Sequence, residues 1–370
     1  MSLDYHDFSD EQRAFASAVT DFCKRETGTR EQRGEHPHNP AVYERMAGLG
    51  WLGVTDAGLV DTCVFLEHTG YGMAPIGGFA TSAIVAGAVR RSGTARQQAT
   101  VCGGLAAGRT FAIAMSEPEA GSDVAALACR ADPGPDGGWV INGQKTWCSN
   151  AHFADAILLV ARTAGRPGDH DGLTMLLVPA GTPGLRVAGI DTMGGREVND
   201  LWFTDCRVPA DAVVGVPGQG WRQLMAGLNL ERLILAALML GTARRAFDDA
   251  LGYARERRQF GRAIGTFQVQ RHRIADLATE IDCCGLLVYR VAALADAAPG
   301  RVLARESSMA KLKTTEVAKQ VALAGMQMMG GYGYATEYDM ERHVRATLVS
   351  TIYGGTSEIQ RDIIGRSYGL

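Results

Sequence analysis

Ile352-Tyr353-Gly354-Gly355-Thr356-Ser357-Glu358-Ile359-Gln360-Arg361 is the stretch around which the rest of the chain is organised. Two adjacent glycines follow a tyrosine, and then come hydroxyls, an acid, an amide and a base. Paired glycines let the backbone approach another group closely and take positive φ. Ile359, Ile363 and Ile364 recur at helical spacing, so the segment reads as a loop opening into a short helix. A glycine-rich loop at a helix N-terminus suits a polyanionic cofactor, because free N–H groups and the helix dipole point the same way. Taken by itself the stretch reads first as a plain Schellman-type turn. Its meaning depends on its company.

The chain has 370 residues, enough for two or three packed domains. A hydrophobic content of 46% and a charged content of 21% are those of an ordinary globular protein. A net charge of −3 gives no reason to expect nucleic acid or an anionic membrane as partner. The eight cysteines (Cys23, Cys63, Cys102, Cys129, Cys148, Cys206, Cys283 and Cys284) form no CxxC pair. They read as reduced, buried, small hydrophobes, with Cys283 and Cys284 adjacent inside a helical pattern. The N-terminus is polar and acidic, unlike a signal or transit peptide, and no apolar run approaches the ~20 residues that span a bilayer. A cytoplasmic location is expected. No zinc-spaced His/Cys set, nucleophile elbow, P-loop or Rossmann fingerprint is visible, and no metal is expected.

From Phe8 to about Gly108 the pattern is helical. Phe8, Phe15, Val19 and Phe22 form a stripe behind the N-terminal signal Ser9-Asp10-Glu11-Gln12, and helices are expected over 41–49, 60–71 and 81–92. The texture changes at Thr110. Short apolar or alternating runs begin at Phe111, Gly138, Ala156, Leu173 and Asp200, separated by Pro-Gly clusters, and end near Gly215. Long helices return over 224–257, 267–298, 301–330 and 339–351.

Four further stretches carry candidate chemistry. Residues 115–123 (Met-Ser-Glu-Pro-Glu-Ala-Gly-Ser-Asp) follow a strand. By themselves they are a polar turn, yet such an edge also presents N–H and O–H donors to a flat heterocycle. Residues 143–150 contain Trp147, whose plain reading is core. Residues 256–261 (Glu-Arg-Arg-Gln-Phe-Gly) form a cation cluster, ordinarily a solvated face, that runs into a helix stop. Arginine suits a pyrophosphate because its planar fork makes two parallel charge-assisted bonds. Residues 327–334 (Gln-Met-Met-Gly-Gly-Tyr-Gly-Tyr) add another glycine pair.

In this order and spacing, these stretches together with 352–361 resemble the acyl-CoA dehydrogenase family from about Phe8 to the C-terminus. The resemblance implies an α+β multidomain fold. It has an N-terminal helical domain (1–109), a middle β-barrel-like domain (110–216) and a C-terminal four-helix bundle (217–370). It also implies FAD. The backbone at Met115 and Ser116 would face the flavin pyrimidine, Trp147 would lie beside the isoalloxazine, and Ser149 would offer its hydroxyl near N5. Ser122 would lie near the phosphopantetheine or pyrophosphate part of the substrate. Arg257 would bind the FAD pyrophosphate of a neighbouring subunit, with Phe260 and Gln268 lining that site and Gln327 and Gly331 on the adenosine diphosphate part. Thr356 and Glu358 would close the flavin site. Relatives form tetramers, so a homotetramer, and at least a dimer, is expected. Relatives also carry a longer glycine-rich loop over 53–64, shortened here by roughly a dozen residues beside the substrate entrance.

One departure concerns the mechanism. Most of the family has its catalytic glutamate where this chain has Gly354. Glu231, in an apolar helix with Arg232 beside it, resembles the isovaleryl-CoA dehydrogenase branch, whose base comes from this helix. Read without the resemblance, Glu231 and Arg232 are a structural helix pair. With it, the chain is expected to dehydrogenate an acyl thioester at the α,β-bond, Glu231 taking the α-proton. Arg232, Gly354 and Gly355 would meet the substrate, with room for a short branched or cyclic acyl group at Gly354. The tether would be coenzyme A or an acyl-carrier protein, and the acceptor an electron-transfer flavoprotein or similar. A flavin oxidase or oxygenase on the same scaffold, or a non-catalytic partner subunit, are the alternatives.

Overall fold

The computed structural model describes residues 5–298 and 300–370, without the side chains of 226 and 228–230. Residues 1–4 of the acidic N-terminus, and Leu228, Asn229 and Leu230 of the stretch before Glu231, therefore lie outside the described residues or side chains. Along the chain, helices give way to a sheet and then to helices again. By compactness the chain divides into two units, one of residues 1–34, 57–74 and 231–370, the other of 35–56 and 75–230.

The helical unit contains α1 (Asp10–Glu26), α2 (Arg30–Arg33) and α4 (Leu59–Tyr71). It also holds the part of α7 (Gly220–Glu256) from Glu231 onward, then α8 (Gln268–Ala297), α9 (Ala304–Met329), α10 (Gly331–Tyr334), α11 (Met340–Ser350) and α12 (Ser357–Arg366). The N-terminal signal is a complete capping box. The Ser9 hydroxyl accepts from the Gln12 N–H, and the Gln12 side chain accepts from the Ser9 N–H. Helix α4 has no side-chain cap of its own. Instead the Asp296 carboxylate of α8 accepts from the N–H groups of Leu59 (2.8 Å) and Val60 (2.9 Å). This distant cap holds the start of α4. Gly241 lets α7 approach α4, since a Cβ there would collide with the Glu67 carbonyl oxygen. The Glu67 side chain itself accepts from Arg244 and from the Tyr289 hydroxyl at 2.5 Å.

The sheet unit contains α3 (Pro40–Gly48), α5 (Gly78–Ser92), α6 (Ala95–Ala106) and an eight-stranded sheet. Its strands are β1 (Phe111–Ala114), β2 (Arg130–Pro133), β3 (Trp139–Ser149), β4 (Ala156–Arg162), β5 (Leu173–Pro179), β6 (Leu185–Thr192), β7 (Gly195–Val208) and β8 (Val213–Val214). The order is β6-β7-β3-β2-β4-β5-β8, with β1 parallel to β4. Ile141, Ile157, Leu159, Leu176, Val178, Leu201 and Phe203 share one buried cluster. That cluster explains the apolar runs as strands lying on a core.

Several details differ from expectation. Strands β2 and β6 and helix α6 were not anticipated. Their residues are mostly polar or small, and β6 is nowhere fully buried, so alternation does not mark it. Helix α9 starts at Ala304, three residues later than its pattern suggests. All eight cysteines are free, but Cys283 is exposed and Cys102 half-buried, against the expectation of uniform burial. Among the described residues no helix is long and apolar enough to cross a membrane.

Candidate active site

In the sheet unit, the residues expected to meet a flavin are gathered by a buried ion pair. Lys145, on β3 and fully buried, donates to the Met115 carbonyl oxygen (2.8 Å) and to Glu117 Oε1 (2.6 Å). Glu117 also accepts from the N–H groups of Ala128 (2.7 Å) and Cys129 (2.9 Å), so the buried charges are paired and bonded. The Thr146 N–H donates to the Ser116 carbonyl at 2.9 Å, which ties β3 to the loop after β1 a second time.

Between Lys145 and Cys148, β3 advances three residues while β7 advances two, from Leu201 to Asn199. The extra residue makes a bulge, and Trp147 sits in it at φ 58° with 59% of its surface exposed. A tryptophan at positive φ, out of the core and beside buried neighbours, is strained and presented outward. It is not the core residue that its type alone suggests. Ser149, at the end of β3, is half-buried, and Ser122 is exposed in the turn that follows residues 115–120.

In the helical unit, Glu231 lies on α7 with Arg232 buried beside it. Its Oε1 is 3.6 Å from the point where a Cβ on Gly354 would lie. The acid and the loop position that resemblance connects are therefore neighbours. Burial raises the Glu231 carboxyl above its ordinary value, and the charges of Arg232 and Lys311 oppose the rise. No described residue donates a hydrogen bond to this carboxylate. An added Cβ at Gly354 would lie 2.5 Å from Leu235 Cδ1, so the tip of Leu235, one turn after Glu231, borders the space at Gly354.

Gly354 (φ 61°) and Gly355 (φ 84°) both need the left-handed conformation read into the glycine pair. Buried Gln360 donates to both their carbonyls at 3.0 Å. A trans peptide sets its N–H opposite its C=O, so the N–H groups of Gly355 and Thr356 point away from Gln360, and no described residue accepts from them. Thr356 caps α12, its hydroxyl accepting from the Ile359 N–H at 3.3 Å, and Glu358 is exposed in the first turn. Sequence reading missed three residues here: Leu235, Gln360 as a loop clamp, and Lys311 of α9, whose ammonium donates to the Gly355 carbonyl at 2.9 Å. Lys311 could have been noticed as a charge on a stripe with Ser307, Thr314, Thr315 and Ala318, all buried.

At the far end of α7, Arg257, Phe260, Gln268, Gln327 and Gly331 are all exposed. The Arg257 guanidinium lies over Tyr332 (5.5 Å to the centroid), next to Gly331, which brings the end of α7 to α10. Phe260 stands 93% exposed at φ 51° between β9 (Arg258–Gln259) and β10 (Arg262–Ala263), its ring edge-on to Phe267 at 6.2 Å. Exposed arginine and outward aromatic rings at this end of α7 are groups that suit a flat, polyanionic ligand.

Three family models match along the chain: the acyl-CoA dehydrogenase N-terminal domain over 9–109, the middle domain over 112–206 and the C-terminal domain over 218–369. The chain is 33% identical over 378 residues to the mitochondrial isovaleryl-CoA dehydrogenase of Solanum tuberosum, covering 97% of this chain and 90% of that protein. The crystal structure of an acyl-CoA dehydrogenase from Geobacillus kaustophilus superposes with a TM-score of 0.92 at 31% identity, covering 99% of this chain and 100% of that one. The prolyl acyl carrier protein oxidase AnaB superposes with a TM-score of 0.90 at 26% identity, covering 98% and 100%. The chain belongs to the acyl-CoA dehydrogenase family and is an oxidoreductase acting on CH–CH bonds.

Proposed function

We propose that the protein is an FAD-dependent dehydrogenase of an acyl thioester, with Glu231 as the base that removes the α-proton. The observation that carries this reading is the state of Glu231. It is a half-buried acid whose carboxyl burial raises, given no hydrogen bond by any described residue, and facing the glycine loop. A carboxylate so placed is more basic than usual, which proton abstraction from a weakly acidic carbon requires. When bound, FAD accepts the β-hydride. Met115, Ser116, Trp147 and Ser149 would hold its ring system. Arg257, Phe260, Gln268, Gln327 and Gly331 would serve its phosphates and adenosine in a neighbouring subunit, with Thr356 and Glu358 completing the site. Ser122, Arg232, Gly354 and Gly355 would meet the substrate. The N–H groups left unpaired by the glycine loop are the kind of donor that a thioester or phosphate oxygen needs.

The proposal includes a homotetramer, a cytoplasmic location, segments 1–109, 110–216 and 217–370 as the three domains, and an electron-transfer flavoprotein or similar acceptor. The tether is coenzyme A or a carrier protein, which present the same pantetheine thioester. The test is Glu231→Gln. This variant keeps size and loses basicity, so anaerobic bleaching of the flavin by acyl thioesters should fall by about 10²–10⁴-fold while FAD stays bound. Bleaching at the wild-type rate would place the base elsewhere. The likeness to an acyl carrier protein oxidase favours one second reading, an oxidase on the same scaffold. Oxygen consumption during turnover without an added acceptor would decide for it. A non-catalytic partner subunit would show no bleaching in the wild type.

A further inference from the structure

Lys311 is fully buried on α9. An ammonium withdrawn from water is unfavourable unless something compensates it. It has three N–H donors, and the Gly355 carbonyl at 2.9 Å is its one recorded acceptor among the described residues. Carboxylates of described residues act on it through their charge, without a hydrogen bond to it. The charged groups within electrostatic reach are Glu231 and Arg232 of α7, Glu316 of its own helix, and Glu358 of α12. Glu316 is engaged by Arg361 at 2.7 Å, and Glu358 is exposed. Glu231 is the acid among them that is half-buried and without a hydrogen-bond partner among the described residues. It is reached in turn by Arg232 and Lys311.

We propose that Lys311 is a positioning residue for the reaction: its ammonium fixes the paired-glycine loop and supplies the counter-charge that keeps Glu231 ionised at working pH. The inference rests on Glu231 being the base. Gly354 and Gly355 take positive φ freely, and Lys311 and Gln360 fix that one conformation of a permissive loop through its carbonyls. The same lysine sits in reach of the carboxylate that faces Gly354, so one side chain couples the shape of the loop to the charge of the acid. The mutual effect runs in the expected directions. Burial lowers Lys311 to about 8 while Glu231 opposes that fall, and Lys311 opposes the rise at Glu231.

The test compares three variants, so that one failing to accumulate leaves the comparison standing. Lys311→Met removes charge and donor, Lys311→Gln keeps a donor without charge, and Lys311→Arg keeps the charge. Two quantities are read against pH: the rate of anaerobic flavin bleaching by an acyl thioester, and the infrared band of the protonated Glu231 carboxyl, assigned by its loss in Glu231→Gln. In Lys311→Met and Lys311→Gln, both the acid limb of the rate and the infrared titration should move up by roughly one pH unit. Lys311→Arg should keep them at the wild-type position. Unmoved titrations in the neutral variants, whatever the loss of rate, would make Lys311 merely structural and overturn the inference. If Glu231→Gln bleaches normally, the base assignment fails on its own, and the infrared titration still reports whether Lys311 tunes that carboxyl.

Discussion

Moving the base from α7 to the loop tests whether both positions serve one proton, and the structure states what stands in the way. Gly354 is at φ 61°, where a side chain costs roughly 1–2 kcal/mol. Its Cβ would lie 2.5 Å from Leu235 Cδ1, against an ordinary contact of 3.4–4 Å, and overpacking of that kind costs about 1–3 kcal/mol. Gly354→Glu should therefore destabilise by about 2–5 kcal/mol while Leu235 remains. Glu231→Ala with Gly354→Glu should stay within tenfold of the rate of Glu231→Gln, because the displaced stem cannot settle. Adding Leu235→Ala opens the site. Truncating a leucine only 7% exposed would by itself cost about 2–5 kcal/mol, but the new glutamate stem fills part of the space. The triple variant should bleach its flavin at least tenfold faster than the double. The assay is stopped-flow bleaching under anaerobic conditions with straight and branched acyl thioesters, on protein whose FAD content and thermal unfolding are measured first. Full recovery in the double variant would show that Leu235 is no obstacle. A folded, FAD-containing triple variant that stays at the level of the double would refute a shared proton-abstraction site.

Arg257→Ala should remain folded, since the side chain is exposed, yet lose FAD; measured as the ratio of flavin to protein absorbance, full occupancy in an isolated monomer would contradict a shared cofactor site. Lys145→Met leaves Glu117 as an uncompensated buried charge and should cost about 3–5 kcal/mol in denaturant unfolding, with FAD released earlier than global unfolding as the Met115 loop loosens. A loss under 1 kcal/mol would mean the pair is dispensable. Asp296→Ala removes the distant cap of α4 and should cost about 0.5–2 kcal/mol, seen as faster amide exchange at the start of α4 and checked against an unchanged flavin spectrum.

Local signals carried the elements, and tertiary contacts carried the rest. Ser9 and Gln12 advertise a capping box, and the two glycines before Thr356 advertise a turn into a helix; both need only neighbours in sequence. Strand β6 and helix α6 lack a clean apolar period, and only their partners make them regular. The start of α4 carries no capping side chain of its own, because its cap comes from Asp296, more than two hundred residues away. The same holds at the site. Leu235 lies one turn beyond Glu231 and must share its helix face, yet nothing in the order of residues says that Gly354 backs onto the pair. Trp147 reads as core because tryptophan usually is; a register shift between two strands turns it outward, and register depends on the partner strand.

The treatment of acids separates structure from chemistry in this fold. Glu67 is withdrawn from water and is met by Arg244 and the Tyr289 hydroxyl. Asp249 receives Arg245 and His343 at 2.8 Å each, and these bonds hold its carboxyl below the usual carboxylate range against the effect of burial. Asp339 takes Arg33, Glu341 takes Arg30 and Arg345, and in the sheet unit Glu117 takes Lys145 and two backbone N–H groups. Each of these acids is committed, and a committed carboxylate is a weak base. Glu231 is treated differently: burial raises it, its cations stand in reach without bonding it, and its oxygen is turned to the glycine loop. On the proposed reading, that lack of commitment is what lets Glu231 take a proton. The absence of a side chain at Gly354 belongs to the same device, because a second acid in that loop would raise the first by repulsion and crowd Leu235.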